Sequence, residues 1–360
     1  MSDESFDIID ATEKAADSVQ QELQVPAGYI PVKLSSNGNY GAPKVFHIKA
    51  FDPQDIINLS LSENEDLPVK TAQLLQEVIF EKDAVNILMF HKDLAIEMLI
   101  FLVATFYNKE IEVPYKPTTE DRLFMQKVMN EVDFANWTKG VDSGIRKYSY
   151  KIDLSTLNFY DVKDGEKAPT KITIKKPGFE AKFTYPKYGD AVVLKRAIDE
   201  RFGERDKSFE KPYRIYKNYQ EMKSRFEGGD KSIDMDKVPY LPKAEEKKLK
   251  EYEKEKLNFT VYLTKGMHLL ELNGEDMTNK SLIERAAAID KCASFDHPTF
   301  ENLSKKLAET IKVGVVHKVK VQNPITGAPM EVDYPFRELD LFAALKNISP
   351  DAGGITYEVE

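Results

Sequence analysis

"HKDLAIEMLIFLVATFYN", residues 91–108, is the stretch on which the fold turns. Its apolar heart, "LAIEMLIFLVATFY" at residues 94–107, has no polar face and carries Glu97 in its first turn. A helix that crosses a bilayer needs about 20 apolar residues, and this run stops at about 14. It therefore reads as a helix buried on all sides at the centre of a domain, with other segments laid around it.

The segments on either side supply that wrapping. "PQDIINLSLSE" reads as a short helix, with Asp52 as its cap and Pro53 in its first turn. "LPVKTAQLLQEVIFE" places Leu67, Leu74, Leu75, Val78 and Ile79 on one side of a second helix. "TTEDRLFMQKVMNE" opens with Thr118 or Thr119 in the capping position and acidic residues in the first turn, where the helix dipole favours them. Ahead of these, residues 29–34 and 45–50 read as two strands around a Ser/Asn/Gly loop. Residues 25–139 are thus expected to form a mostly helical domain, a four-helix unit behind a small β entry. Residues 1–24 are polar and acidic and read as a mobile arm or a loosely docked helix, with no basic start and apolar run that would mark a signal peptide.

Near Trp137 the period changes. "RKYSYKIDLSTLNFYDV" and "TKITIKKPGFEAKFTYPKYGD" alternate with a period near two and read as antiparallel strands. Helical spacing then returns and ends at Gly228 and Gly229. "KAEEKKLKEYEKEK" is a charged helix in which Glu246 reaches Lys250 and Lys247 reaches Glu251, a solvated spacer or stalk. Residues 140–258 are accordingly read as a β-rich insertion followed by charged helices. Residues 259–360 are read as a C-terminal helical domain with a hairpin. There "FTVYLTKGMHLLELNGEDM" is expected to be mainly helix, "SLIERAAAID" and "PTFENLSKKLAETI" are amphipathic helices, and "RELDLFAALKN" closes the unit. The hairpin is "KVKVQNPITGAPMEVDYPF", whose apolar side chains alternate through Val319, Val321, Met330, Val332, Tyr334 and Phe336. The fold class is α+β.

Chemistry is sparse. Cys292 is the one cysteine in the sequence, which excludes an intrachain disulfide and a cysteine-rich zinc site. The hairpin turn has Asn323 and Thr326 where a zinc knuckle would need thiolates; Pro324 and Gly327 are turn formers instead. His47, His91, His268, His297 and His317 show no paired metal-ligand spacing. His91 and His297 stand where they would act in caps or turns, and His317 aligns with the buried face of the hairpin. No phosphate loop, calcium loop or nucleophile elbow is present. The expectation is a non-enzymatic protein with no catalytic residue, no cofactor and no metal. A net charge of −9, with the signs interspersed, disfavours general nucleic-acid binding, and 31% charged residues argue for a soluble protein.

With 20 Phe and 17 Tyr, aromatic residues are plentiful. In "KKPGFEAKFTYPKYGD" they alternate with lysines, so Phe179, Phe183, Tyr185 and Tyr188 are the expected partner-binding residues of an exposed β face. Phe46, Phe336 and Phe342 are assigned to the core. On this reading Ala at 185 and 188 weakens assembly and leaves the fold intact.

The order of segments resembles a known group. "VPAGYIPVKLSSNGNYGAPKVFHIKAFDPQDIINLSLSENEDLPVKTAQLLQEVIFE" is similar to the N-terminal region of baseplate hub and tail-assembly proteins of contractile-tailed phages of the T-even type. The shared features are a P-x-G entry, an F-H-I-[RK]-x-F strand and the helices that follow. "HPTFENLSKKL" and "VKVQNPITGAPMEVDYPFRELDLF" resemble the closing portion of such proteins. About half the chain is covered; the middle has no counterpart. The resemblance implies a structural or morphogenetic protein of the virion tail, assembled in the host cytoplasm. Its partners would be other tail proteins: hub, tape-measure or wedge subunits, with no membrane and no nucleic acid. The alternative is a transient tail-assembly chaperone absent from the mature particle, and more remotely a nucleic-acid-binding protein.

Overall fold

The computed structural model describes residues 25–60, 67–176, 178–228, 232–292, 297–316 and 318–333. The N-terminal arm, His317, Tyr334, Phe336, Phe342, the closing helix at 337–347 and the tail lie outside the described residues.

β1 (Ile30–Val32) pairs antiparallel with β2 (Phe46–Ile48), and Ile30 faces Ile48. α1 (Pro53–Ser60) starts at Asp52, whose carboxylate accepts the Gln54 N–H at 2.8 Å. α2 (Leu67–Glu77) follows and delivers Ile79 to a bridge with Ile48. α3 (Lys92–Phe106) is the central helix, with Leu94, Met98, Leu99, Leu102 and Val103 among its buried side chains. His91 caps it, its Nδ1 accepting the Asp93 N–H at 3.2 Å. Glu97 is also buried, because the loop after β1 needs it. One carboxylate oxygen accepts the Ser35 N–H at 2.7 Å and the other accepts the Ser35 hydroxyl at 2.6 Å.

β3 (Glu110–Tyr115) lies inside a stretch expected to be helical. The cause is tertiary: it pairs along its whole length with β4 (Tyr148–Asp153), from Glu110 opposite Asp153 to Tyr115 opposite Tyr148. α4 (Thr119–Val128) and α5 (Glu131–Asp142) form the connection between the two strands. β5 (Phe159–Tyr160), β6 (Lys171–Lys176) and β7 (Phe179–Thr184) follow, and α6 (Asp190–Glu227) then runs 38 residues.

α7 (Lys243–Gly266) is longer than the charged segment alone, since "NFTVYLTKG" continues the same helix. Its Glu246–Lys250 and Lys247–Glu251 pairs form as expected from their spacing, at 2.6 and 3.8 Å. The rest of the expected C-terminal helix is instead β8 (Leu269–Leu272) and β9 (Glu275–Asp276). Asn273 and Gly274 take φ of 50° and 85°, the two positive values that a tight hairpin turn requires. β8 pairs with both β7 and β9, which completes a four-stranded sheet in the order β6-β7-β8-β9. α8 (Leu282–Asp290), α9 (His297–Thr310), β10 (Gly314–Val315), β11 (Lys318–Gln322) and β12 (Pro329–Asp333) finish the described chain. β10 pairs with β5, and β11 with β12 in the register Val319 opposite Val332 and Val321 opposite Met330.

The molecule is α+β, with small antiparallel sheets and nine α-helices among the described residues. The main core gathers around α3 and takes in residues from Val32 to Val321. A second core, with Phe202, Tyr252, Phe259 and Leu263, joins α6, α7 and α8. Arg201 and Arg205 lie over its rings, 4.3 Å from the Phe259 centroid and 4.8 Å from that of Tyr252. No described helix is long and apolar enough to cross a membrane.

Candidate functional site

Phe179, Phe183, Tyr185 and Tyr188, expected on an open face, are all buried. β7 is internal to its sheet, between β6 and β8, and its alternation turns Phe179, Ala181 and Phe183 into the main core. The lysines that alternate with them pair on the outer face, Lys175 with Glu180 at 2.9 Å and Lys182 with Glu271 at 2.6 Å. Tyr185 stands edge-on to Tyr40, and its hydroxyl donates to the Met89 carbonyl at 3.2 Å. Burial, helped by Asp190 and Tyr40, pushes its hydroxyl up to about 12. These residues hold the interior together and cannot serve as an exposed partner face.

A partly buried polar seam lies beside them, where the chain around His91 meets the start of α6. The Lys92 N–H donates to Pro186 at 3.1 Å, and the Tyr188 N–H donates to Phe90 at 2.8 Å. Asp190 accepts the Lys187 N–H at 2.6 Å and sits 3.3 Å from His268 Nδ1. Arg285 reaches over from α8 to donate to the Met267 carbonyl at 3.2 Å. Burial raises Asp190 to about 6, against the pull of the Lys187 N–H and the charges of Lys187, Arg285 and Lys92. Burial, with cationic neighbours, lowers His268 to about 4 and His91 to about 3. Both imidazoles are therefore neutral near pH 7, and the seam is a fastening between α3, α6, β8 and α8.

The outward-facing site is built from α4 and α5. Thr118 caps α4 with a reciprocal box: Asp121 donates its N–H to the Thr118 hydroxyl and its carboxylate accepts the Thr118 N–H at 2.8 Å. The same carboxylate accepts the Tyr115 hydroxyl at 2.5 Å and the Asn323 amide at 2.7 Å. Burial alone would raise Asp121, but these hydrogen bonds outweigh it and hold the carboxyl below its ordinary range. Asn323 also accepts the N–H groups of Ile325 and Thr326, so its side chain shapes the hairpin turn and docks it on α4. Gly327 has φ of 69°, as the turn reading requires. On α5, Trp137 is fully buried, stacks on Phe134 and donates Nε1–H to the Tyr148 hydroxyl at 2.7 Å.

Asp121 and Trp137 are the buried residues of these two helices. The pair therefore projects from the core, and it carries large apolar side chains with it. Leu123 is 51% exposed, Val128 59%, Val132 70% and the adjacent Ile145 82%, with Phe124 beside them at 39%. Scattered single exposures are ordinary; here five large apolar side chains fall within 23 residues of the α4–α5 segment.

Next to this ridge, an open groove of about 450 Å³ runs between α4, α5 and the adjoining ends of β3 and β4. Lys116, Arg122, Arg146 and Lys147 line it, with Asp142 as its carboxylate. Arg122 holds that carboxylate at 2.6 Å, which keeps Asp142 below its ordinary range. Arg146 lies across Gly140 of α5, where a Cβ would stand 3.0 Å from the arginine Cγ; glycine gives the guanidinium stem its path. The groove is thus electropositive on a chain of net charge −9. Sequence reading placed α4 correctly but missed the ridge and the groove. Its cations are spread over 32 positions among acids, and nothing local says which apolar residues the core will leave uncovered. Compared with known proteins, the chain matches no family model, no curated protein and no solved structure.

Proposed function

We propose that this chain is a non-catalytic structural or assembly component of a contractile phage tail, and that it works by protein–protein contacts made through the α4–α5 hairpin. The observation that carries the contact role is the exposed apolar ridge of Leu123, Phe124, Val128, Val132 and Ile145. Leaving such side chains in water is unfavourable by roughly 25 cal/mol for each Å² of apolar surface, and a partner that covers them recovers that free energy. Anchors on a short helical pair, tied to β4 by Trp137 and to β3 and the hairpin turn by the Asp121 network, suit a part that docks without rearranging. The tail setting rests on the resemblance of residues 25–81 and of the segment from His297 onward to baseplate proteins.

Quantitative mass spectrometry of purified tailed particles that encode this chain tests the setting. A stoichiometric set of its peptides is expected in mature particles. Peptides found only in assembly intermediates would make it a helper that departs, and absence from both would contradict a tail role.

A further inference from the structure

The groove points to a second, electrostatic contact, distinct from the ridge and independent of which tail proteins the ridge meets. We propose that the groove lined by Lys116, Arg122, Arg146 and Lys147 binds the chain's own acidic N-terminal segment. Residues 1–24 carry seven carboxylates against Lys14, the densest negative run near either end of the sequence. In "SDESFDIID" four of those carboxylates alternate with Phe6, Ile8 and Ile9, so one short segment offers both negative charge and apolar side chains. The groove offers the complement: four cations against Asp142, with Val141, Pro114 and Tyr115 among its lining.

Reach permits the contact within one chain. β1 lies beside β2, and Phe51 beyond β2 has its carbonyl held by the Tyr107 hydroxyl at 3.1 Å, next to the start of β3. From there the groove is one strand length away, about 20 Å for six residues. The residues between Asp7 and Val25 extend to at most about 60 Å, well beyond that span.

Zero-length carbodiimide coupling of the full chain at low ionic strength tests this, because it joins carboxylates to lysines that touch them. Carboxylates of residues 3–10 are expected to join Lys116 or Lys147 in a monomeric product. They should do so roughly fivefold more often than they join Lys247, an exposed lysine of α7. Arg146→Glu should remove that preference while keeping both reactive lysines. Asp7→Asn with Asp10→Asn should reduce it as well. Equal coupling to Lys247, or a pattern unchanged in both variants, would overturn the proposal. A product found only as a dimer would assign the groove to a second copy and overturn the intrachain contact.

Discussion

At neutral pH Glu97 is poised between its two protonation states. Burial in α3 raises it to about 7, and the two hydrogen bonds from Ser35 pull only partly back. In the unfolded chain it titrates in the ordinary carboxylate range, so between that range and about 7 the folded protein binds the extra proton. Stability from this group is fully present below the unfolded value and is lost as pH rises through about 7. Glu97→Gln cannot titrate, and its amide N–H₂ replaces one of the two oxygens that accept from Ser35. The stability gap between the natural chain and this variant is expected to widen by about 2 kcal/mol from pH 8 to pH 5, read by urea unfolding. A gap independent of pH would contradict a carboxyl titrating in that window. The presence of Glu97 within an apolar run was plain in the sequence. Its partner was not, because Ser35 lies 62 residues away and the loop that carries it has no apolar pattern.

At the level of elements, what was legible depended on whether the signal was local. The buried α3, the Thr118 cap, the strands of the middle region and the 318–333 hairpin all follow from side chains within one or two turns of each other. β8 was read as helix because its apolar run is continuous with α7; the Asn273–Gly274 pair is the signal that separates the two. Phe179, Phe183, Tyr185 and Tyr188 were placed on an exposed face because they alternate with lysines; the lysine side is the outer one, and the aromatics turn inward. Helices also cross the expected limits at 139/140 and 258/259, α5 the first and α7 the second. The hairpin turn shows the opposite lesson, since its chemistry was legible and its docking was not. Asn323→Ala removes the donors to Asp121 and Tyr115 together with the acceptor for the turn. A loss of roughly 1–3 kcal/mol is expected in denaturant unfolding. A change below about 0.5 kcal/mol would mean the hairpin docks by its valines alone.

For the whole molecule, a helix buried on all sides organises the main core, a pair of long helices builds a second, and α4–α5 projects from the first with its apolar residues in water. The class and the rough order of segments were readable from composition and period. The surface was not, since exposure is decided by what every other segment leaves uncovered. The proposed contact surface is therefore α4–α5, and the aromatic strand belongs to the interior. Val128→Glu with Val132→Glu tests this most directly, because both side chains already face water and the folded chain should keep its unfolding midpoint. Incorporation of the variant into assembled tail complexes, measured against the natural chain by quantitative mass spectrometry, is expected to fall at least about tenfold, the loss of roughly 1.4 kcal/mol of contact free energy. Equal incorporation of a folded variant would show that the ridge is not where this protein meets its partners.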